Sequence, residues 1–489
     1  MTAFSEFPPA LPALSHPRSD LDPLDWSDMR AIGHRMLDDV FNDLENLRDQ
    51  PVWQPMPDTV RSAWHAKLPQ APTELAIVYK AYCRYIAPYA TGNRHPRFMG
   101  WVHGGGSVVG MLAEMLAGGL NANLGGRDHA PIACEQQVIR WAAEMLGFPD
   151  DASGLLVTGT SMANLMAVLV ARTDALGEGI RTGGLADAAL TAYAAAGVHG
   201  CVARALDIAG IGSDALRLIA CGADGGMDLA TLRTTIAADR AHGLTPFLVV
   251  GTAGSVDTGA IDDLAGLADC CAEQEVWFHV DAAYGAIAML SDAKKPLLTG
   301  IERSDSVAFD FHKWAQVPYD AGCLVVRCAA SHRAAFERPA NYLKRETRGL
   351  AAGSPWPCDF GPDLSRGFRA LKVWMTLSTY GTDRLGQIVD RTCALAVYLA
   401  ERIAREPLLA CVAPVHLNIV CFRVRGGDDT LHATIAADLQ EGGIAAPSTT
   451  RIEGRVVLRA AIVNHRTRED DIDALIDGVI AFAALHRQR

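Results

Sequence analysis

Four short stretches of this sequence carry side chains that can do chemistry at the end of an apolar run or at the start of a helix. The most informative is Ser306-Val-Ala-Phe-Asp-Phe-His-Lys-Trp314, in which Lys313 closes a short apolar run. An amine at the end of a buried strand can form a Schiff base with a carbonyl compound. A lysine in that place can also extend its charged tip to solvent and have no chemical role. This stretch alone leaves both interpretations open.

A second stretch is a candidate phosphate site. Gly154-Leu-Leu-Val-Thr-Gly-Thr-Ser-Met-Ala-Asn164 leads into a predicted helix over 162–172, with Thr158, Thr160 and Ser161 at its start. Hydroxyls and free backbone N–H groups at a helix N-terminus attract phosphate through hydrogen bonds and the helix dipole. The stretch lacks the Gly-Lys-Ser/Thr ending of a Walker motif. Simple capping of the helix by threonine or serine is the alternative interpretation.

A histidine and an aspartate complete the set. His199 precedes a predicted helix over 201–208. An imidazole can stack on an aromatic ring and still move a proton, although a lone histidine is more often structural. Asp281 ends the apolar run Val276-Trp-Phe-His-Val280, and the small Ala282 and Ala283 leave room for a flat group. A buried carboxylate needs a cationic partner, which a purely structural ion pair would also provide.

Together these four features predict a site for pyridoxal phosphate. This cofactor needs a phosphate cradle, a group that stacks on its ring, a carboxylate for its ring nitrogen and an amine for its aldehyde. Ligands of open α/β sheets lie beyond the carboxyl ends of the strands, where we expect these residues to meet. With Asp281 holding the ring nitrogen protonated, the ring can serve as an electron sink.

The elements that must position these residues follow the pattern of an α/β protein. Helical spacing of apolar residues over 24–47 and a second helix ending near Pro88 predict an N-terminal segment without strands, which needs a partner surface to pack against. From Leu155 onwards, apolar runs alternate with amphipathic helices, which is typical of a mostly parallel sheet. Strands are predicted over 216–220, 246–251, 276–280, 306–309 and 322–327. A helical region over 371–406 leads into a smaller α/β unit, with strands over 417–424 and 456–462.

Composition and charge exclude several classes of function. The chain has 489 residues, and its 44 basic and 56 acidic residues give a net charge of −12 without any block of like charge. Neither a nucleic-acid-binding protein nor a membrane-surface protein is expected from this balance. The twelve cysteines form no CxxC pair and no His/Cys cluster with ligand spacing, so we expect reduced thiols and no metal site. Without a signal peptide or a membrane-spanning apolar run, a cytoplasmic protein is expected.

The sequence resembles the group II pyridoxal-phosphate-dependent amino-acid decarboxylases, which include aromatic-amino-acid, histidine and glutamate decarboxylases, over about residues 25 to 480. The most specific motifs are His95-Pro-Arg-Phe98, Gly159-Thr-Ser161, His279-Val-Asp281-Ala-Ala-Tyr284 and His312-Lys313-Trp314. The resemblance implies the fold-type I transferase fold, with a mostly parallel seven-stranded sheet in a large domain, a small C-terminal α/β domain and a helical N-terminal segment. We expect these parts at 96–375, 376–489 and 1–95, in a homodimer with its active site at the interface.

The resemblance also implies roles for individual residues. Lys313 would form the Schiff base, Asp281 would pair with the ring nitrogen and His199 would stack on the ring, and these three are the expected catalytic residues. The expected cofactor-binding set adds Thr160, Ser161, Thr252, Ala283, Asp310 and His312. The stretch that lines the substrate pocket in aromatic decarboxylases is here Trp101, Val102 and His103, and Arg459 matches a family position of unassigned role. The implied reaction converts an L-amino acid, by preference an aromatic one, to the amine and CO2.

Three departures from the family pattern bear on that reaction. Gly251-Thr-Ala253 replaces the usual Gly-Thr-Thr, and His103, followed by three glycines, replaces a proline of the pocket. From Leu343 to Thr379 there is no tyrosine, whereas the family has in this segment a tyrosine that protonates the α-carbon. Relatives with phenylalanine in its place tend to release an aldehyde. Decarboxylation-dependent oxidative deamination to an aldehyde, and decarboxylation of a non-aromatic amino acid, are therefore the alternatives. The intact lysine, aspartate and histidine argue against a non-catalytic relative.

Overall fold

The structure is a computed structural model that describes residues 20–338 and 344–487. Residues 1–19 of the predicted N-terminal segment and Leu343 of the tyrosine-free segment lie outside this range. The N-terminal segment contains the helices α1 (Trp26–Glu45), α2 (Asp58–Ala63) and α3 (Leu75–Tyr85), followed by the short strand β1 (Phe98–Met99). Asp25 caps α1 by accepting the N–H of Ser27. The helices α1 and α3 contact each other, but neither contains a buried residue, so the described part of this chain leaves most of their surface uncovered.

A seven-stranded sheet forms the centre of the fold. Its strands are β2 (Ser153–Val157), β3 (Leu190–Ala195), β4 (Leu216–Ile219), β5 (Thr245–Thr252), β6 (Trp277–Asp281), β7 (Ser306–Asp310) and β8 (Gly322–Val326). Their spatial order is β2-β8-β7-β6-β5-β3-β4, and only β8 runs antiparallel to its neighbours. This confirms the predicted α/β fold with a mostly parallel sheet.

The strand β3 was not predicted, and its composition explains why. Its sequence Leu-Thr-Ala-Tyr-Ala-Ala has three alanines, and alanine is depleted in strands. The alternation of strand side chains is nevertheless clear in its packing. Tyr193 belongs to the main hydrophobic core, whereas Ala192 and Ala194 belong to a second cluster on the other face. Both faces of the sheet are therefore covered, as is usual for parallel sheets.

Residues 108–336 also contain eight α-helices, several of which pack on the faces of this sheet. They are α4 (Val108–Leu120), α5 (Ala130–Leu146), α6 (Thr160–Leu176), α7 (Ile180–Gly183), α8 (Cys201–Ile208), α9 (Leu229–Ala241), α10 (Leu264–Gln274) and α11 (Ala329–Phe336). The apolar face of α6 packs against β7 and β8 through Ala163, Met166 and Val170. Over residues 20–338 and 344–487, no helix combines the length and apolarity needed to cross a membrane.

A long helix connects the central sheet to a second, smaller sheet. This helix, α12 (Arg369–Arg405), runs across the predicted boundary at 375/376, and its only non-helical residue is Gly381, with φ 72°. The second sheet contains β9 (Leu409–Cys411), β10 (Ile419–Val424), β11 (Ala446–Ile452) and β12 (Arg455–Ala461), and β1 pairs in parallel with β11. It is completed by α13 (Asp429–Glu441) and α14 (Glu469–Arg487). The exact domain limits stay a prediction.

Candidate active site

The candidate site lies at the carboxyl ends of three neighbouring parallel strands. β5 ends at Thr252 and β6 ends at Asp281, and these two residues are paired in register. Asp281 is also opposite Ala308 on β7, two residues before that strand ends at Asp310. Thr252, Asp281 and Asp310 are all buried. The structure therefore brings three of the predicted residues together at the sheet edge where ligands of α/β proteins lie.

Lys313 points into the protein rather than to solvent. Its Nζ lies 2.9 Å from Oδ2 of Asp310, and its side chain is 21 % exposed. The glycine stretch packs directly against its backbone, because a Cβ at Gly104 would collide with the carbonyl oxygens of His312 and Lys313. The Lys313 side chain therefore does not extend to solvent, as the alternative interpretation would require. An amine fixed at a strand end is placed for chemistry on a carbonyl.

The predicted phosphate cradle lies at the N-terminus of α6. Gly159 is the N-cap and no side chain caps the helix, so Thr160 and Ser161 are not used for capping. The Thr160 hydroxyl is buried and makes no hydrogen bond within the described residues. The backbone N–H of Thr160 donates to Oδ1 of Asp310 at 2.8 Å, which ties the cradle to β7. A buried hydroxyl without a partner beside a helix N-terminus fits a phosphate group.

Asp281 accepts hydrogen bonds from neutral donors. Its Oδ2 accepts from Nδ2 of Asn164 at 2.9 Å and lies 3.9 Å from Sγ of Cys201, while its Oδ1 accepts the N–H of Ala283 at 3.1 Å. Burial raises the pKa of this carboxyl group, and the positive charge of Lys313 acts in the opposite direction. A buried carboxylate in these surroundings is stabilised by a cation placed against it, such as a protonated ring nitrogen.

Three further predicted residues border the same space. His199 is exposed, and its Nδ1 accepts the N–H of Cys201 at 3.2 Å. The hydroxyl of Thr252 is buried and has no hydrogen-bond partner in the described part of the chain. His312 accepts the N–H of Ala321 through Nδ1 at 3.0 Å, and burial lowers the pKa of His312. The imidazole of His312 is therefore neutral, with its proton on Nε2.

Four aromatic rings stand next to this space. The His103 ring stacks on those of Phe98 and Trp101, with centroids 5.7 Å and 5.8 Å apart, and the Tyr319 ring meets its edge at 5.9 Å. The Tyr319 ring also lies 4.2 Å from that of His312, the residue before Lys313. We call Phe98, Trp101, His103 and Tyr319 the ring cluster. Burial lowers the pKa of His103, so the ring cluster is uncharged at neutral pH.

Arg459 holds the backbone of the predicted substrate stretch in place. Its guanidinium donates to the carbonyl oxygens of Trp101 at 3.0 Å and Asp257 at 3.1 Å. Trp101 has φ 47°, in the left-handed region that few non-glycine residues adopt. Val102 instead packs in the main hydrophobic core, so its assignment to the substrate pocket stays a prediction.

Four residues of the site were not predicted from the sequence: Asn164, Cys201, His279 and Tyr319. Two of them had a usable signal. Asn164 follows Thr160 by one helical turn and so lies on the same face of α6. His279 precedes Asp281 by two residues and so points to the same face of β6. Cys201 and Tyr319 follow no such spacing.

The segment without tyrosine packs on a glycine turn. The Trp356 ring is buried and contacts the guanidinium groups of Arg127 and Arg345, whose central carbons lie 4.6 Å and 3.7 Å from the ring centroid. A Cβ at Gly126 would strike the same ring, and the N–H of Cys358 donates to Gly125 at 3.0 Å. A tryptophan therefore fills this part of the segment, against a turn that only glycine fits.

Comparison with known proteins agrees with this geometry. Residues 57–425 match the family model described as the pyridoxal-dependent decarboxylase conserved domain. An aromatic-L-amino-acid decarboxylase of Bacillus atrophaeus is 31 % identical over 472 residues, covering 94 % of this chain and 96 % of that protein. A phenylacetaldehyde synthase of Arabidopsis thaliana is 27 % identical, covering 92 % and 95 %. The crystal structure of Oryza sativa TDC with PLP and tryptamine superposes with a TM-score of 0.87 at 25 % identity, covering 96 % of this chain and all of that one.

Proposed function

The chain belongs to the family of pyridoxal-dependent decarboxylases, and we propose that its substrate is an L-amino acid with an aromatic side chain. It has the fold of the fold-type I enzymes, and its reaction releases the α-carboxylate as CO2. The observation that carries the proposal is the meeting of Lys313, Asp281 and the Thr160–Ser161 cradle at one sheet edge, next to the ring cluster. The product of the proposed reaction is the corresponding amine.

The residues of the site fit pyridoxal phosphate. Thr160 and Ser161 would hold the phosphate, and the unpartnered Thr160 hydroxyl supports this. Asp281 would pair with the ring nitrogen, whose positive charge would stabilise the buried carboxylate. Lys313 would bind the aldehyde carbon. When bound, the cofactor supplies an electron sink for the bond that breaks.

Other residues of the predicted set border the ring. His199 and Ala283 would face the ring, because His199 is exposed at this edge and the small Ala283 leaves space beside Asp281. The buried polar side chains at the ends of β5 and β7 complete the set of proposed cofactor-binding residues: Thr252, Asp310 and His312. Lys313, Asp281 and His199 are the proposed catalytic residues.

The ring cluster supports an aromatic substrate. Aromatic pairs with centroids 4.5–7 Å apart contribute about 0.5–1.5 kcal/mol beyond the area that they bury. The rings of Trp101 and Tyr319 are each about half exposed, so both can contact a further ring. The cluster has no charge at neutral pH with which to pair an acidic or basic side chain. Trp101 and His103 are thus the proposed substrate-pocket residues, with Val102 between them.

Lys313 is also placed to return the proton. Residues 344–379 contain no tyrosine to perform that step. Nζ of Lys313 lies 2.9 Å from Oδ2 of Asp310, and both groups lie beside the carboxyl end of β7. In the proposed reaction, Nζ of Lys313 donates the proton that replaces CO2 on the α-carbon, and Asp310 stabilises the ammonium until it does.

Two uncovered helices support the proposal of a homodimer with the site at its interface. Residues of α1 and α3 border a cavity of about 780 Å³, which is also lined by Gly104, Gly105, Gly106 and Tyr319. A second copy that covers these helices would thus reach the surroundings of Lys313. Location in the cytoplasm stays a prediction from the sequence.

A second candidate function is oxidative deamination to an aldehyde. It is favoured by the tyrosine-free segment and by the likeness to a phenylacetaldehyde synthase. That reaction takes up O2 and water and releases aldehyde, CO2, ammonia and hydrogen peroxide.

One assay separates these functions. Protein reconstituted with pyridoxal phosphate is incubated with a panel of L-amino acids, and CO2, amine, aldehyde and peroxide are measured. The proposal predicts turnover of aromatic amino acids, with amine equal to CO2 and no peroxide. Release of peroxide and CO2 in equal amounts would show that the reaction is oxidative deamination and not decarboxylation to the amine. A preference for acidic or basic amino acids would overturn the aromatic assignment. Full turnover by Lys313→Ala would overturn the site itself.

A further inference from the structure

A row of buried side chains leads away from the Asp281 carboxylate. Nδ2 of Asn164 donates to Asp281 at 2.9 Å, and Oδ1 of Asn164 lies 2.8 Å from Nε2 of His279. Nδ1 of His279 lies 2.8 Å from Oγ of Ser306, which accepts the indole N–H of Trp277 at 2.9 Å. Asn164, His279 and Ser306 are each at most 1 % exposed. We call Asn164, His279, Ser306 and Trp277 the support row.

An ionised Asp281 fixes every proton of the support row. A carboxylate only accepts, so it takes an N–H of Asn164, and the amide oxygen of Asn164 then faces His279. Because that oxygen also only accepts, His279 carries its proton on Nε2. Burial lowers the pKa of His279 to about 3, so its ring is neutral and its Nδ1 accepts the Ser306 hydroxyl. Every donor in the row then has an acceptor.

The opposite arrangement is less favourable at the far end of the support row. A protonated Asp281 that donated to Asn164 would turn the amide, so that its NH2 group faced Nε2 of His279. The histidine proton would then sit on Nδ1 and point at Ser306. An indole N–H can only donate, so the Ser306 oxygen would receive two donors and its own hydrogen would have no acceptor within the row. A buried polar group without a partner destabilises the arrangement that contains it.

We infer that the support row keeps Asp281 ionised and so holds the cofactor's ring nitrogen in its protonated state. This inference rests on the proposed role of Asp281. Trp277 is the fixed donor that sets the direction of the row, and Asn164 presents the resulting N–H to the carboxylate. The ring withdraws electrons best with its nitrogen protonated, so the support row sustains the chemistry without touching the cofactor. Its members are positioning residues.

The test compares two ligands that differ only at the ring nitrogen. Cofactor-free protein is titrated with pyridoxal phosphate and with its 1-deaza analogue, in which a C–H replaces that nitrogen, and binding is followed by tryptophan fluorescence. His279→Leu removes the donor to Asn164 and is expected to raise the Kd of pyridoxal phosphate about ten- to a hundredfold. The Kd of the analogue is expected to stay within about threefold of the wild type, because the analogue has no ring N–H to meet Asp281. His279→Gln, which restores an N–H donor, is expected to recover most of the lost affinity.

His332 offers a matched control. It is also fully buried, its Nδ1 lies 2.9 Å from the hydroxyl of Ser153, and burial lowers the pKa of His332 to about 3. His332 belongs to α11, outside the support row. His332→Leu removes a similar ring and a similar hydrogen bond, and both dissociation constants are expected to stay unchanged. If His279→Leu does not fold, Ser306→Ala removes only one hydroxyl and is expected to weaken pyridoxal phosphate binding alone, by about three- to tenfold.

The outcomes separate this inference from the proposed function. The inference would be overturned if the support-row variants bound both ligands more weakly by the same factor. It would also be overturned if their Kd for pyridoxal phosphate did not rise. Wild-type protein that binds the two ligands equally would overturn the role of Asp281 and the inference with it. Wild-type protein that binds neither ligand would overturn the cofactor assignment itself.

Discussion

Nζ of Lys313 lies 2.9 Å from Oδ2 of Asp310, and the other oxygen of the same carboxylate accepts the N–H of Thr160 at 2.8 Å. One buried carboxylate thus joins the proposed cofactor-binding amine to the helix that carries the phosphate cradle. Both bonds are charge-assisted and so stronger than bonds between neutral groups. The relative position of these two parts of the site therefore depends on Asp310.

Asp310→Asn is expected to lower kcat about tenfold or more. The amide keeps the shape of the side chain, but it has no negative charge to pair with Lys313. Its NH2 group would also face either Nζ of Lys313 or the N–H of Thr160, which are both donors. The rate of CO2 release and the melting temperature are measured together. Asp320→Asn is the control, because Asp320 pairs with Arg369 at 2.7 Å at a partly exposed site, where a change within about twofold is expected. An unchanged kcat in Asp310→Asn would contradict the role of Lys313 as proton donor.

Arg459→Lys is expected to raise KM for the aromatic substrate about tenfold, with a smaller effect on kcat. The guanidinium spans the carbonyl oxygens of Trp101 and Asp257, which a single ammonium group cannot do. The pocket backbone would then lose its anchor while the groups around Lys313 stay in place. Arg451→Lys is the control, since Arg451 lies on the neighbouring strand and pairs with Asp429 at an exposed site. Equal steady-state parameters for Arg459→Lys and wild type would show that the anchor is not needed.

Local spacing tells on which face of an element a residue lies but not which residue it will bond to, and Asp281 and His279 illustrate the difference. Asp281 closes an apolar run, so a strand end with a carboxylate could be predicted from local sequence. The partner of His279 is Ser306, and these residues are neighbours only because β6 and β7 pair in that register. Strand order and register depend on the packing of the whole sheet, which local spacing does not encode.

The fold shows the same division. The strand β5 is a run of branched and aromatic residues and was predicted to within a residue at each end, whereas β3, rich in alanine, gave no signal. The pairing of β1 with β11 was also not predictable, since it joins two residues near position 98 to a strand almost 350 positions later. Two consecutive residues are too few for a strand pattern.

The unfolding free energy of the cofactor-free protein is expected to fall as the pH drops below about 6.5. Burial lowers the pKa of His279 and His332 to about 3, against 6.5 for an ordinary histidine. The unfolded chain therefore binds these protons more tightly, so the stabilising contribution is complete above pH 6.5 and is lost towards pH 3. Each histidine contributes a slope of up to about 1.4 kcal/mol per pH unit. Asp262, whose pKa burial raises to about 6, contributes a slope of the opposite sign below pH 6.

His332→Leu tests this pH dependence, because it removes one of the buried histidines with a lowered pKa without touching the site. Urea unfolding is followed at several pH values between 8 and 5. Below pH 6.5 the unfolding free energy of the variant is expected to fall less steeply than that of the wild type, by about 1.4 kcal/mol per pH unit. An identical slope in both proteins would show that the His332 proton is not linked to unfolding.

Val78→Asp is expected to yield a monomer with activity at least about tenfold lower, because it would bury a charge without a partner in the proposed dimer interface. Val78 and Tyr82 lie one turn apart on α3, on a face that the described chain leaves uncovered. That helix borders the cavity that Gly104 and Tyr319 also line, so losing the second copy would open the surroundings of Lys313. Val397→Asp is the matched control, since Val397 lies on α12 and is 53 % exposed, against 50 % for Val78. Mass is measured by light scattering during gel filtration, with activity assayed on the same fractions, and a fully active dimer of Val78→Asp would place the interface elsewhere.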